Sequence, residues 1–209
     1  VVAAGATHIG VELLGGDATA HDLLAGQVGA FSRAIRALRT CREAGATTRI
    51  VAPVLRPSCR GLTTLVRRAL PLGVSGFDFV AVPGPDRDAH PLLPHPALAA
   101  GQVRSALALV KAARRRASTM AIAACLLGEH ADCAMERGAP LLFDASAASA
   151  GAIPNHFRRH HGSPCERCVL TASCAGPMAD EAERHGWAPY QASPDSMPPA
   201  APGSSPDHG

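Results

Sequence analysis

Short unbroken apolar runs alternate with amphipathic stretches over the first 120 residues. The run His8–Gly15, "HIGVELLG", reads as a buried strand closed by Gly15-Gly16-Asp17. Between Asp22 and Ala44 the apolar positions Leu24, Val28, Phe31, Ile35 and Leu38 recur at steps of 4, 3, 4 and 3. That spacing is one face of a single helix, with Arg33, Arg36, Arg39 and Arg42 largely on its wet side and Gly45 as its C-cap. His21-Asp22 reads as the start of that helix, with Asp22 as the capping residue. Thr47–Leu55 is a second strand, although Pro53 argues against a central place for it. Leu62, Leu65, Val66 and Ala69 mark a further helix that stops near Gly73. Gly76–Val82 is a third strand, ended by Pro83-Gly84-Pro85, and a long helix runs from about Ala97 to Arg116. A last short strand is expected within "STMAIAACLLGE", ending at Cys125.

Repeated strand–helix units imply parallel strands with right-handed crossovers, hence an α/β fold. Neither the dinucleotide pattern G-x-G-x-x-G nor the phosphate-loop pattern G-x-x-x-x-G-K-[ST] occurs. This favours a barrel over a nucleotide-binding doubly wound sheet. Three or four strands cannot close a barrel. The expected architecture is therefore the C-terminal part of a partial (β/α) TIM-like barrel over residues 1–120, its remaining strands lying upstream. In barrels chemistry sits where strands end; here those places are Glu12 to Asp17, Arg56 to Cys59 and Val82 to Asp86. A small Cys-rich lobe follows over residues 121–190. Its residues 131 to 164, rich in Ala, Gly and His, have no sustained period and call for a staple. Residues 191–209, with five prolines from Pro194 onward, form a disordered tail.

Composition narrows the function. The chain is 47% apolar with only 3% aromatic residues, so its core must be built from Ala, Leu and Val. A formal net charge of +3 is too weak to nominate nucleic acid or membrane as a partner. No run approaches the roughly 18 apolar residues of a membrane span, and no signal peptide opens the chain, which leaves a cytoplasmic setting. Seven cysteines are an odd number for a disulfide framework. In a reducing compartment, clustered cysteines point to metal or catalysis instead.

Three of the seven stand together in "PCERCVLTASCAG" as Cys165-x2-Cys168-x5-Cys174. A C-x-x-C loop turns tightly enough for two thiolates to share one metal or cluster, and the third closes the site from the next turn. Gly162, Pro164 and Gly176-Pro177 suit an irregular loop whose amides can bond sulfur. Arg158, Arg159, His160, His161 and Arg167 form a basic surround that favours thiolates, or an edge for an acidic peptide. A [4Fe–4S] cluster wants four cysteines; structural zinc wants four Cys or His ligands. Cys125 is the first candidate for the fourth ligand and Cys133 the second, the latter in a setting that looks like a helix surface. His161 competes for zinc. The bland alternative is three neighbouring thiols, two of them a redox pair.

The stretch from Gly10 to Val74 resembles the later barrel strands of radical S-adenosylmethionine enzymes. Gly15, His21-Asp22, Gly29, Phe31, Ala44-Gly45, Leu62, Leu65 and Gly73-Val74 carry the likeness. Cys165-x2-Cys168-x5-Cys174-x-Gly176, with "ACLLGE" and Cys125 before it, resembles the auxiliary-cluster lobes called SPASM and twitch domains. Met178 stands where a full SPASM lobe has a further cysteine, which makes a twitch-like single-cluster site the better match. Ser58 or Cys59 replaces the family's asparagine after the second visible strand. The upstream C-x3-C-x2-C loop is missing, since Cys41 and Cys59 are far apart and alone. The chain as given is therefore expected not to generate a radical by itself.

The resemblance implies an enzyme portion that modifies a peptide or small molecule, served by a reductant for its cluster. Cys125, Cys165, Cys168 and Cys174 would ligate an auxiliary [4Fe–4S] cluster. S-adenosylmethionine would lie across the barrel strands in the intact enzyme, with Glu12 and Arg56 approaching it. The competing reading of Glu12 and Arg56 is a mutual ion pair or an outward-facing place on the rim. The competing reading of the whole is a non-catalytic, zinc-stapled Cys3His binding module. Cys41 reads as core, Cys59 as a loop thiol without a partner, and Arg114-Arg115-Arg116 as a solvated helix end.

Overall fold

The computed structural model describes residues 2–82, 90–135 and 159–192. Strands β1 (His8–Glu12), β2 (Thr47–Val54), β3 (Gly76–Ala81) and β4 (Arg116–Met120) form one four-stranded sheet in the order β1-β2-β3-β4. Every adjacent pair is parallel. Between them run α1 (Ala18–Ala25), α2 (Ala30–Glu43), α3 (Leu62–Ala69) and α4 (Pro96–Ala112), and α5 (Ala179–His185) follows in the C-terminal part. The chain is thus α/β with a parallel sheet.

Strand register divides the sheet into two unlike faces. Val11, Ile50, Phe77 and Ala117 are aligned across the four strands, and Ala52, Phe79 and Thr119 follow two residues on. This face is buried under Leu38 of α2, Leu62, Leu65 and Val66 of α3, and Val103, Leu107 and Val110 of α4. The other face carries Glu12, Val51, Asp78 and Ser118 in one row and Val80 and Met120 beyond it. Glu12 and Met120 on it are exposed. Its one polar network joins Arg49 and Ser118 to the Asp78 carboxylate, with Arg49 Nε donating at 2.8 Å. Gly76 makes that network possible. A Cβ there would lie 2.8 Å from the Arg49 guanidinium and 2.7 Å from the Arg116 carbonyl.

Pro53 does lie in a central strand, contrary to expectation, because β2 is flanked by both β1 and β3. Val51 faces β1, since its carbonyl accepts from Leu13 N–H. Residues alternate in direction along a strand, so the Pro53 nitrogen also faces β1, but beyond the end of the paired stretch. No ladder donor is lost.

The expected helix from Asp22 to Ala44 is two helices. Gly26 (φ 64°) and Gly29 (φ 80°) break it, and Val28 between them is exposed rather than part of an apolar stripe. Asp17, not Asp22, caps α1 by accepting from Ala20 N–H at 2.9 Å. The Asp22 carboxylate instead accepts from Gly29 and Phe31 at 2.6 and 2.8 Å, capping α2 from within α1. These bonds hold its carboxyl below the usual carboxylate range. The long helix ends at Ala112 rather than Arg116, and β4 ends at Met120, short of Cys125. Cys59 and Cys133 are both buried in the main core, not a loop thiol and a helix-surface thiol. The expectations for Asp86, Arg158, most of residues 131 to 164 and the tail from Pro194 lie outside the described residues. None of the helices among the described residues is long and apolar enough to cross a membrane.

Candidate metal centre

Beyond β4 the chain enters a 3-10 segment, Ala124–Cys133, kinked at Gly128. Two polar clamps fix it to α4: Arg104 donates to the Leu126 carbonyl at 2.7 Å, and Lys111 pairs with Asp132 at 2.8 Å. Cys125 is carried on the start of this clamped segment. The later cysteines are carried on a succession of tight turns. Amides of Cys165, Cys168, Thr171 and Ser173 donate to the carbonyls of Gly162, Cys165, Cys168 and Leu170 respectively. The Thr171 hydroxyl lies 2.6 Å from the Cys165 carbonyl and 2.9 Å from that of Cys168, so its single hydrogen closes the C-x-x-C turn from either side.

Leu170 joins these turns to the clamped segment by packing on Ala124 and Ala131, with Cys168 and Cys174 at the edge of that small cluster. The result is one pocket of about 340 Å³, counting the part open to solvent, whose walls include Cys125, Cys165, Cys168 and Cys174. Thr171, Gly176, Tyr190 and Gln191 complete much of the lining. The fold therefore brings together the four cysteines named from the sequence, across a gap of forty residues in the chain.

The electrostatics agree with this placement. Burial pushes the Cys125 thiol up to about 12, and charge on Cys174, Cys168 and Cys165 pushes in the same direction. Two backbone amides turn toward sulfur: Gly176 N–H donates to Cys174 Sγ at 3.4 Å, and Gln191 bonds to Cys125. Gly176 adopts φ +82°, and a Cβ on it would lie 2.2 Å from the His160 carbonyl oxygen. Trp187 packs directly over Gly162, where a Cβ would come within 2.3 Å of the indole.

The other two candidates for a fourth ligand sit differently. Cys133 is buried beside Asp132 and Lys111, away from the pocket wall. His161 lines the pocket, but its Nε2–H donates to the Cys174 carbonyl at 2.7 Å. A carbonyl can only accept, so Nε2 holds the proton and is not free to bind metal. Among the described residues no three His, Cys, Asp or Glu side chains form a group that could hold a metal ion. The four thiols line one pocket. A single zinc requires sulfurs about 2.3 Å from one centre; an iron–sulfur cube holds one thiolate at each of four corners and fills the volume between them.

Tyr190 is buried, forms part of the pocket wall and interacts with the Glu181 carboxylate. Four thiols on one pocket wall equal in number the ligands that a [4Fe–4S] cluster takes.

No protein-family model matches the chain, and no curated protein matches it.

Glu12 and Arg56 stand where expected, at the C-terminal end of β1 and just past that of β2. Both are exposed, and no ion pair joins them. His21 is a buried structural residue whose Nδ1 accepts from Leu14 N–H at 3.1 Å, and burial lowers its pKa. A second pocket, about 470 Å³ with its open part, was not foreseen. It lies at the C-terminal ends of β2 to β4, between Val54, Ala81, Ile122, Met178, Glu181 and Arg184. Its walls come from five separate stretches of chain, so no local pattern announces it.

Proposed function

We propose that this chain is an iron–sulfur module of a radical S-adenosylmethionine-type enzyme, with Cys125, Cys165, Cys168 and Cys174 ligating one auxiliary [4Fe–4S] cluster. The observation that carries the reading is the meeting of Cys125 with the C-x2-C-x5-C loop around one pocket. When bound, the cluster supplies one-electron transfer or a Lewis-acidic anchor for substrate. The chain's own residues hold it through four thiolates, donate to its sulfurs from the Gly176 and Gln191 amides, and keep water out with Leu170 and Tyr190.

The sheet supports the barrel half of the reading. Four parallel strands in sequential order, with helices on one face, are what half of a (β/α) barrel lays down. A dinucleotide sheet reverses its strand order at its binding crevice, and no reversal occurs within these four strands. The half-open face with Glu12, Val51, Asp78 and Val80 would then face the lumen, and Glu12 and Arg56 its rim, in position for S-adenosylmethionine. The pocket beside Glu181 offers space for part of a peptide or small-molecule substrate. No radical-forming step is assigned to the residues described.

Anaerobic reconstitution with iron and sulfide tests the proposal. About four irons and four sulfides per chain are expected, with an electron-paramagnetic signal on reduction. Cys125→Ala is expected to lower iron content, whereas Cys133→Ala leaves it unchanged. Tightly held zinc with no iron uptake would establish the stapled binding module instead.

A further inference from the structure

The second pocket lies on the helix-covered side of the sheet, away from its open face. Val54 and Ala81, paired in register, line it and continue the buried rows that run through Ala52 and Phe79. Pro96 and Ala99 bring the first turn of α4 to its wall. Met178, Glu181 and Arg184, spaced by three, bring one face of α5 with its N-cap. The C-terminal ends of parallel strands are where α/β folds take their ligands. Among the described residues that line the pocket, Glu181 and Arg184 are charged and the others are apolar. An acid and a base thus stand three residues apart on one helix, at the wall of an aliphatic cavity. Arg184 Nη2 donates to Asp180 at 2.6 Å, which holds the guanidinium and uses one of its five N–H donors. Glu181 is favoured as a carboxylate by Tyr190, Arg159 and Arg184, yet burial and the Asp180 charge outweigh them and push its carboxyl up. The carboxylate would therefore gain from a further positive charge.

We infer that this pocket binds an aliphatic α-amino acid, its ammonium on the Glu181 carboxylate and its carboxylate on the Arg184 guanidinium. The side chain would lie against Ala99, Ile122 and Leu126. Only a ligand with both charges on adjacent atoms and an apolar body answers all three features of the wall. Ammonium and carboxylate supply charge-assisted hydrogen bonds to the two side chains, while the aliphatic part leaves water. The inference gives a chemical class to the substrate space assigned above and rests on that reading of the pocket. It does not require a cluster between the cysteines.

The test titrates the full chain with leucine, leucinamide and isocaproate by isothermal calorimetry. Leucinamide lacks the carboxylate and isocaproate the ammonium, while all three keep the same side chain. Leucine is expected to bind at least about tenfold tighter than either analogue. In Glu181→Gln the affinity for leucine should fall about tenfold, with that for isocaproate unchanged. In Ala99→Leu, whose longer side chain enters the pocket from α4, all three should cease to bind. No binding of leucine, or leucine binding no tighter than isocaproate or leucinamide, overturns the inference. Full leucine affinity in either variant overturns it too. Should Glu181→Gln fail to fold, the comparison of the three ligands in the parent chain decides alone. Iron uptake is measured on the same preparation. A chain that loads iron but binds no leucine loses this inference and keeps the cluster reading. A chain that binds leucine and takes up no iron does the reverse.

Discussion

At the scale of single residues, the pocket depends on one small position and one protonated thiol. Trp187 can cover the cysteine turns only because residue 162 is glycine. Gly162→Ala drives a methyl into the indole, and overpacking of this kind costs about 1–3 kcal/mol. The expected outcome is a blue- or red-shifted emission from the chain's single tryptophan together with weaker iron retention. Unchanged emission and full iron retention would mean that the indole yields freely. The Cys125 thiol is raised by burial first and by the other three cysteines next. It must lose its proton to ligate, so metal uptake should fall as pH falls. In the metal-free chain at pH 8, iodoacetamide is expected to alkylate Cys125 far more slowly than a free cysteine. Cluster loading should then protect Cys165, Cys168 and Cys174 as well, which peptide mass mapping can read.

At the scale of elements, three helices end alike and one does so at a cost. After α1, Gly26 and Gln27 donate back to Leu23 and Asp22; after α2, Gly45 and Ala46 donate to Arg42 and Cys41. After α4 the same double bond runs from Arg114 and Arg115 to Lys111 and Val110. The left-handed position is glycine in the first two and Arg114, at φ 54°, in the third. A side chain there costs about 1–2 kcal/mol. Arg114→Gly is therefore expected to raise stability by about 1 kcal/mol, measurable as a higher denaturant midpoint with unchanged slope. This explains what could be read from the chain in advance and what could not. Gly45 and Gly73 announced their helix ends because the usual residue stood in the usual place. Arg114 concealed one, and an apolar spacing that ran through Gly26 and Gly29 concealed another. Asp22 was legible as a cap but not as the cap of the following helix, because that needs the turn between them. Its depressed carboxyl gives that turn a pH dependence. The stabilisation is full above the ordinary carboxylate range and is lost as pH falls through the lower folded value. Asp22→Asn should remove most of this acid sensitivity from thermal unfolding followed between pH 2 and 5.

At the scale of the whole molecule, the parallel sheet was legible because each strand is a local run, and the cysteine turns because their spacing is local. The approach of Cys125 to those turns was visible only as a requirement for a fourth ligand. It is achieved by Arg104 and Lys111 reaching from α4 to Leu126 and Asp132, contacts that no periodicity encodes. The lobe so assembled has a very small apolar centre of its own, Ala124, Ala131 and Leu170. The sheet, by contrast, buries Ile50, Phe77, Phe79, Val103 and Leu107 completely. Stability should therefore be uneven, and a ligand that bridges the two cysteine segments should act mainly on the weaker part. Binding at 1,000 times the dissociation constant adds about 4 kcal/mol to the state that holds the pocket together. Hydrogen exchange before and after cluster loading is expected to show new protection at residues 124–133 and 159–192. Amides of β2 and β3 should keep nearly the same protection in both states. If loading slowed exchange equally in β2 and β3, the two parts would unfold as one unit and the boundary near residue 120 would carry no energetic meaning.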